Sequence, residues 1–185
     1  MPTFAPLPGP FQPEAWANGG GLTTELAREP EVDDWHWRAS VAQIEQPGEF
    51  STLPGVQRLL VPLDAPLTLH HDDQPSPVAR LAVHRFDGAG RTRCELPQGP
   101  SRAFNLMLRH GHRAQLLARP LLGTQWLPPA RWLVYLAAGR AQLSEADGDR
   151  LTLDTDQPVW VQPGAGRRVL IDGAGDLVLA RLDPD

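Results

Sequence analysis

The sequence predicts an all-β protein built as a sandwich or a barrel. Short runs in which apolar and polar residues alternate recur along most of the 185 residues. Proline or glycine stands at almost every junction between these runs, and no long stretch has the periodicity of a helix. Alternation with a period of two is typical of strands with one buried face, and strands at this spacing are typical of sandwiches and barrels. The chain is long enough for one sizeable core, or for two small halves that share one.

The strands are expected in a regular order along the chain. Residues 1–13 are rich in proline and are expected to form an extended arm on the surface. The predicted strands that follow, up to Pro120, are 21–27, 35–46, 56–63, 67–71, 79–86, 91–96, 103–110 and 113–118. Those predicted beyond Pro120 are 132–138, 141–144, 151–154, 159–162, 169–172 and 177–182.

Several turns are predicted between these strands. The sequence Asp-Gly-Ala-Gly at 87–90 is the strongest hairpin signal, because aspartate and glycine accept the positive backbone angle of tight turns. Residues 70–77, with two histidines, two aspartates and two prolines, are predicted to be a solvated turn. A turn at 138–139 and a hairpin at 173–176 are predicted from their glycines.

Composition excludes several classes of function. The net charge is −5 and the basic residues, all arginines, are scattered, whereas nucleic-acid binding needs clustered cations. The single cysteine, Cys94, has no partner for a disulfide or a zinc site. No signal peptide and no apolar segment of membrane-spanning length is recognisable, so we expect a cytoplasmic protein that binds neither nucleic acid nor membrane.

Polar side chains share a face on three of the predicted strands. Arg38 and Ser40 alternate with the apolar residues of their strand, and Arg58 lies on the next strand. Asn105, Met107 and Arg109 alternate in the same way on a later one. If these faces line a barrel interior, the arginines suit a small carboxylate, which a guanidinium binds through two parallel hydrogen bonds. The alternative is that the arginines lie outside and pair with surface acids.

Metal ligands are not predicted. The sequence His110-Gly111-His112 has the spacing of two ligands on one strand face, but no glutamate follows within a few residues and no histidine follows at all. The histidines of the 70–77 turn are two residues from a carboxylate, but their neighbours indicate a solvated tip. We therefore expect neither a metal nor a cofactor.

Three blocks of sequence resemble the HutD/Ves family of bacterial cupin-like proteins. They occur in the order of that family and span roughly the first three fifths of the chain. They are Trp16-Ala17-Asn18-Gly19-Gly20-Gly21-Leu22-Thr23-Thr24-Glu25, then Trp37-Arg38-Ala39-Ser40-Val41-Ala42 with Gly48-Glu49-Phe50-Ser51 and Pro54-Gly55-Val56-Gln57-Arg58, and Phe104-Asn105-Leu106-Met107-Leu108-Arg109.

The resemblance implies a fold, a site and a role. The fold would be cupin-like, with double-stranded β-helix or jelly-roll barrels arranged as a bicupin, in halves 14–118 and 119–185. The role would be to bind a small anionic metabolite in histidine utilisation or stress response, with a formylglutamate-like ligand, in place of catalysis. The implied ligand-binding residues are Arg38, Ser40, Phe50, Ser51, Arg58, Asn105, Met107 and Arg109. Thr23, Glu25 and Trp37 would support them.

The chain also departs from the family pattern. Ala103 stands where the family usually has an acidic residue, and His110 stands where it often has a second arginine. The competing hypothesis is a cupin enzyme, either a metal-dependent oxygenase or a metal-free isomerase with Glu25 or His84 as its base. The sequence leaves the oligomeric state open, a homodimer included.

Overall fold

The computed structural model describes residues 3–109, 111–145, 148–164 and 166–182. These residues form strands joined by turns and loops, and no helix that could cross a membrane occurs among them. The strands are β1 (Phe4–Pro6), β2 (Pro13–Ala15), β3 (Gly21–Glu29), β4 (Trp37–Ile44), β5 (Gly48–Glu49), β6 (Val56–Pro62), β7 (Leu67–His71), β8 (Gln74–Val78), β9 (His84–Asp87), β10 (Thr92–Glu95), β11 (Ser101–Arg109), β12 (Ala114–Leu127), β13 (Trp132–Glu145), β14 (Arg150–Leu153), β15 (Val159–Val161) and β16 (Val169–Leu182). The all-β prediction is confirmed.

The chain divides into two compact units. We call Pro10–His112 the N unit, and Met1–Gly9 together with Arg113–Asp185 the C unit. The first residues of the chain thus belong with its last strands, because β1 pairs antiparallel with β15 and Phe4 is buried. The prolines of this segment are compatible with its position, since β1 is an edge strand.

The N unit contains two antiparallel sheets. One has the strand order β2-β3-β4-β11-β6-β9 and the other the order β5-β10-β7-β8. The core between them draws apolar side chains from both sheets, including Leu60 and Ala103 from the first and Leu69 and Cys94 from the second. Burial raises the pKa of the Cys94 thiol to about 12, so this group is a neutral part of the core.

The C unit is a sheet with the order β1-β15-β13-β16-β12, in which β14 also pairs with β13. Its interior is a cluster of buried apolar side chains that extends from Phe4 to Leu179. The 14-residue strand β12 lies at the edge of this sheet, with Leu122 and Trp126 exposed to solvent. Glu145, a buried acid, accepts hydrogen bonds from Thr3 at 3.1 Å and Arg167 at 2.6 Å.

Two of the predicted turns in this unit are wrong. The turn at 138–139 and the hairpin at 173–176 both lie inside long strands, since β13 and β16 stay paired from Trp132 to Glu145. The glycines permit this pairing because Gly139 faces Gly175, and a Cβ on either would overlap a carbonyl oxygen of the opposite strand. Glycine here allows two backbones to approach closely, and the chain does not reverse.

Two further predictions fail in the N unit. The predicted turn at 70–77 contains a strand, because the chain reverses at Asp72 and Asp73, whose φ angles are positive, and β8 then pairs with β7. The Asp-Gly turn at 87–90 does not join two paired strands either. It carries the chain from β9, which pairs with β6, to β10, which pairs with β7 and β5. Of the predicted strand 79–86, the structure has only residues 84–86 in a strand, as part of β9.

Candidate functional site

A row of side chains crosses five strands of the larger N-unit sheet. Strand register places Met107 opposite both Arg38 and Arg58, with Arg28 and Phe86 continuing the row on the outer strands. Arg38 and Arg58 lie an even number of residues from Ala42 and Leu60, which belong to the core between the sheets. Because side chains alternate along a strand, both arginines are on the face that carries this core.

Arg58 is a buried cation without a carboxylate partner. It is 6% exposed, and its guanidinium lies 5.0 Å from the ring centroids of both Phe50 and Phe86. Its Nη1 donates to the carbonyl oxygen of Ser51 at 3.4 Å, while its Nε has no hydrogen-bond partner. No acidic side chain among the described residues pairs with it. Burial, and secondarily the charge of Arg38, lower its pKa to about 10, so Arg58 stays protonated at neutral pH.

Arg38 is held more loosely than Arg58. Its Nη2 contacts the Met107 sulfur at 3.6 Å, and its guanidinium lies 5.6 Å from the Trp35 ring. Its Nε is 3.8 Å from a Glu25 oxygen, which is too long for a hydrogen bond. That Nε is buried and unpartnered, and Glu25 makes its closer ion pair with Arg28 at 2.8 Å. The carboxylate therefore orients Arg38 but leaves donors of this side chain free.

A cavity of about 460 Å³ opens onto these two guanidinium groups. Its volume is in the range of small-molecule sites. Most of its wall is apolar or aromatic, with a few polar groups at defined positions. The lining residues are Trp16, Ala17, Asn18, Arg38, Glu49, Phe50, Ser51, Leu53, Arg58 and Met107. Of the residues expected at a site, the cavity thus brings together Arg38, Phe50, Ser51, Arg58 and Met107.

Trp16, Asn18 and Glu49 line the cavity although the sequence analysis did not assign them to the site. The loop before β3 positions the first two, because Trp16 Nε1 donates to Thr23 Oγ1 at 2.7 Å and Asn18 Oδ1 accepts from Gly20 N at 3.0 Å. Thr23 thus contacts a residue of the cavity wall. Trp16 and Asn18 belong to the same family-like sequence block as Thr23, and Glu49 belongs to the same block as Phe50. These blocks are the sequence signal from which all three could have been predicted.

Glu49 does not neutralise the cavity arginines. Its Oε1 accepts two hydrogen bonds from Arg91, at 2.9 Å from Nε and 2.5 Å from Nη2. Both hydrogen bonds end on Oε1, and this charge-assisted pair holds the carboxylate against Arg91 at the rim of the cavity. Two guanidinium groups and one already paired acid leave the cavity with a positive local charge.

Arg109 does not line this cavity. It forms an ion pair with Asp34, donates to the Asp33 carbonyl at 3.2 Å, and lies 4.8 Å from the Trp35 ring. It shares the sheet face of Met107, but it stands at the end of β11, where Trp35 and the 33–34 loop bind its guanidinium. A separate groove next to it includes Arg85, Gln57 and His112.

Three other expected residues also lie outside the cavity wall. Ser40 and Asn105 are paired in the strand register and are buried one row deeper than the arginines. Asn105 Nδ2 donates to the Ala103 carbonyl at 3.3 Å, while its Oδ1 is buried without a partner. Trp37 is buried on the opposite face of β4, since it alternates with Arg38.

The described histidines among those considered as metal ligands contact other side chains. His110 lies outside the described residues, and His112 stacks on His36 with ring centroids 4.2 Å apart. His70 Nε2 lies 3.2 Å from a Glu95 oxygen. Within the part of the chain that the structure describes, no three histidine, cysteine or acidic side chains are grouped closely enough to hold a metal ion.

Comparison with known protein families identifies the family of this chain. The model of the HutD family matches residues 10–179 of the chain. The chain belongs to the HutD family. The Ves protein of Cronobacter sakazakii is 32% identical over 171 residues, which cover 90% of this chain and 91% of that protein. A Pseudomonas putida protein described as an uncharacterized 21.2 kDa protein in the hutC 3′ region is 40% identical over 96 residues, half of each chain.

Solved structures agree with this assignment at the level of the fold. HutD from Pseudomonas fluorescens SBW25, in a formate condition, superposes with a TM-score of 0.76 and 24% identity, covering 98% of this chain and 100% of that one. A Pseudomonas aeruginosa protein of unknown function gives 0.87 at 23% identity, covering 98% and 99%. A cupin barrel protein from Leptotrichia buccalis gives 0.56 at 8%, covering 88% and 89%. The chain is therefore a cupin-like protein of the HutD family.

Ala103, which stands where the family pattern has an acidic residue, lies in the interior of the N unit. Ala103 is fully buried in the N-unit core, opposite Ala42 and Pro62. An acidic residue in such an apolar position would need a partner for its charge. Ala103 brings no such charge into the core, and Glu49 is an acidic residue of the cavity wall.

Proposed function

We propose that the protein is a metal-independent binding protein for a small anionic metabolite, whose carboxylate binds Arg58 and Arg38 in the N-unit cavity. The observation that carries the proposal is the burial of the Arg58 charge without an acidic partner. A buried charge is costly unless it is paired and hydrogen-bonded. A ligand carboxylate in the cavity supplies the missing pair, and Arg38 provides a second donor group beside it.

The cavity favours an acid with a polar tail over a purely apolar one. Asn18 and Ser51 are polar groups in the wall, while Trp16, Phe50, Leu53 and Met107 supply apolar contact. A formylglutamate-like ligand combines carboxylates with an amide and a short aliphatic chain. The names of two relatives, one in the hutC 3′ region and one HutD in a formate condition, support a place in histidine utilisation.

A regulatory or buffering role in the cytoplasm follows from binding without turnover. The cavity joins charged donors to an apolar wall, and its acid, Glu49, is already bound by Arg91. Such an arrangement favours retention of an anion over proton abstraction from it. We therefore infer that the protein sequesters or senses the metabolite.

Calorimetric titration with N-formylglutamate, glutamate, urocanate and formate tests the proposal. Saturable binding of at least one acid is expected, and Arg58→Met or Arg38→Met should weaken it by about 10- to 100-fold, the effect of one hydrogen bond to a charged group. Arg109→Gln is the control, because its guanidinium is bound by Asp34 outside the cavity, and it should retain the affinity.

Two outcomes would contradict this function. The first is a folded wild-type protein that binds none of these acids. The second is an Arg58→Met variant with unchanged affinity. NMR spectra of the recovered ligand should show it chemically unchanged, whereas conversion would indicate an enzyme.

A further inference from the structure

Two histidines from the two N-unit sheets form a hydrogen-bonded pair. His71 ends β7 and His84 begins β9, and their Nε2 atoms are 2.8 Å apart. The ring planes are within 9° of parallel and the centroids are 5.1 Å apart, so the imidazoles meet end to end. In this geometry the two nitrogens point at each other, which is the arrangement of one shared proton. Ligands of a common metal ion would point at a third position instead.

The pair can accept a proton without losing its hydrogen bond. One N–H between the rings suffices when both are neutral, and His71 Nδ1 also contacts Thr92 Oγ1 at 3.1 Å. One additional proton leaves a charged donor facing a neutral acceptor, which strengthens the bond. A second additional proton would place two N–H groups against each other and break it.

Phe86 connects this pair to the cavity arginine. Its ring lies 4.9 Å from the His71 ring and 5.7 Å from the His84 ring, and the Arg58 guanidinium lies 5.0 Å from the same ring. The two histidines thus support the aromatic surface on which Arg58 rests. A change in their charge or position acts on Arg58 across one side chain.

The charged groups around the pair set its protonation. Burial lowers the pKa of His71; Asp72 raises this pKa, and Arg58 and His70 lower it. Burial, and then His71, lower the pKa of His84. The pair also contacts Thr92 and Phe86, which carry no charge. Arg58 is therefore the charged group that belongs both to the cavity and to the surroundings of the pair.

We propose that His71 and His84 are positioning residues that couple proton uptake to the binding of an anion at Arg58. The proposal rests on the function proposed above. An anion that neutralises Arg58 removes its repulsion of an imidazolium at His71, so that binding is accompanied by uptake of a proton. By linkage, a proton on the pair strengthens anion binding by the same factor. Affinity then increases as the pH falls below neutrality.

Calorimetry with N-formylglutamate in buffers of different ionisation enthalpy measures this uptake. Both carboxylates of the probe stay ionised in the range used, so the proton must come to the protein. We expect an affinity that rises by about three- to tenfold from about pH 7.5 to about pH 5.5, with about 0.3–0.5 proton taken up per ligand at the pH of greatest uptake. His71→Gln removes the imidazolium that Arg58 repels and should abolish the uptake, whereas His70→Gln, on the opposite face of β7, should retain it.

The results separate this proposal from the one on which it rests. Binding without proton uptake overturns the coupling and leaves the binding function intact, while absence of binding overturns both. Uptake that persists in a folded His71→Gln variant also overturns the coupling. NMR titration of the wild-type imidazoles gives a measurement that needs no variant: the pKa values of His71 and His84 must rise when N-formylglutamate is added, and unchanged values would contradict the proposal.

Discussion

Burial of the Arg58 charge lowers the stability of the folded protein but serves the proposed binding of an anion. The N unit encloses its guanidinium between two phenylalanine rings and leaves its Nε without a partner. Contacts with aromatic faces compensate a cation in part, but they do not replace a carboxylate. The protein therefore holds a buried charge with no acidic partner among the described residues, and the proposed ligand supplies one.

Replacing this charge should stabilise the empty protein. Arg58→Met keeps a long side chain between Phe50 and Phe86 and removes the desolvated cation, so its free energy of unfolding should equal or exceed that of the wild type by about 1–3 kcal/mol. Urea unfolding without ligand measures this difference. Ligand at 100 times the wild-type Kd should add about 2.7 kcal/mol to the wild type but only about 0.4–1.4 kcal/mol to the variant, whose affinity is about 10- to 100-fold weaker. A variant that is much less stable than the wild type would show that the aromatic contacts outweigh the burial cost.

Side-chain alternation predicted which faces the polar residues share, and the strand register agrees with it for Arg38, Met107 and Arg58. Alternation could not determine how far along a strand the cavity extends. Arg109 has the correct face, but Asp34 and Trp35 bind it, and these contacts come from a loop with no regular pattern. Trp16 and Asn18 enter the cavity wall from another loop, which strand periodicity cannot place.

At the scale of secondary structure, glycines in the C unit keep long strands paired where the sequence suggests turns. Gly139 and Gly175 occupy facing positions in β13 and β16, and both backbones are too close for a Cβ. The pattern of glycine between two apolar runs is the same for a hairpin and for such a close approach. Only the partner strand decides between them, and the partner is distant in sequence.

Gly139→Ala should therefore cost more stability than a glycine replacement in open space. Gly139 combines a φ of +97° with a Cβ position that overlaps the Ala174 carbonyl. Gly123 has a φ of +76° and no atom within 4 Å of its Cβ position, so Gly123→Ala carries only the backbone strain of about 1–2 kcal/mol. We expect at least about 2 kcal/mol more destabilisation for Gly139→Ala than for this control, measured by urea unfolding. Equal losses in the two variants would mean that the strands separate without cost.

At the scale of the whole molecule, the two units differ in what fills them. The described C-unit interior is an apolar cluster from Phe4 to Leu179, whereas the N unit combines a core with the arginine cavity. Strand spacing predicts an all-β fold and gives no indication of where a cavity opens. The cavity of the N unit depends on a few polar residues in one row, among them Arg38 and Arg58, which the family resemblance implies as ligand-binding residues.

The stability of the whole protein should fall as the pH decreases from about 6.5, the ordinary value for histidine. Because the pKa values of His71 and His84 are lowered in the folded state, the unfolded chain binds more protons in this window, and acid favours unfolding. Above the unfolded value the contribution is fully present. Urea unfolding between about pH 7.5 and about pH 5.5 should show this loss in the wild type and less of it in His84→Gln. A stability that increases toward pH 5.5 would contradict the assigned direction.

The exposed edge of the C unit has a consequence for colloidal behaviour. Strand β12 offers unpaired backbone groups next to Leu122, 80% exposed, and Trp126, 53% exposed, and such an edge is a template for pairing between molecules. Pro120 interrupts it, because proline has no N–H to donate, and the exposed Arg119 adds a charge beside it. We expect these two residues to limit edge-to-edge pairing between molecules and so to reduce aggregation of the concentrated protein.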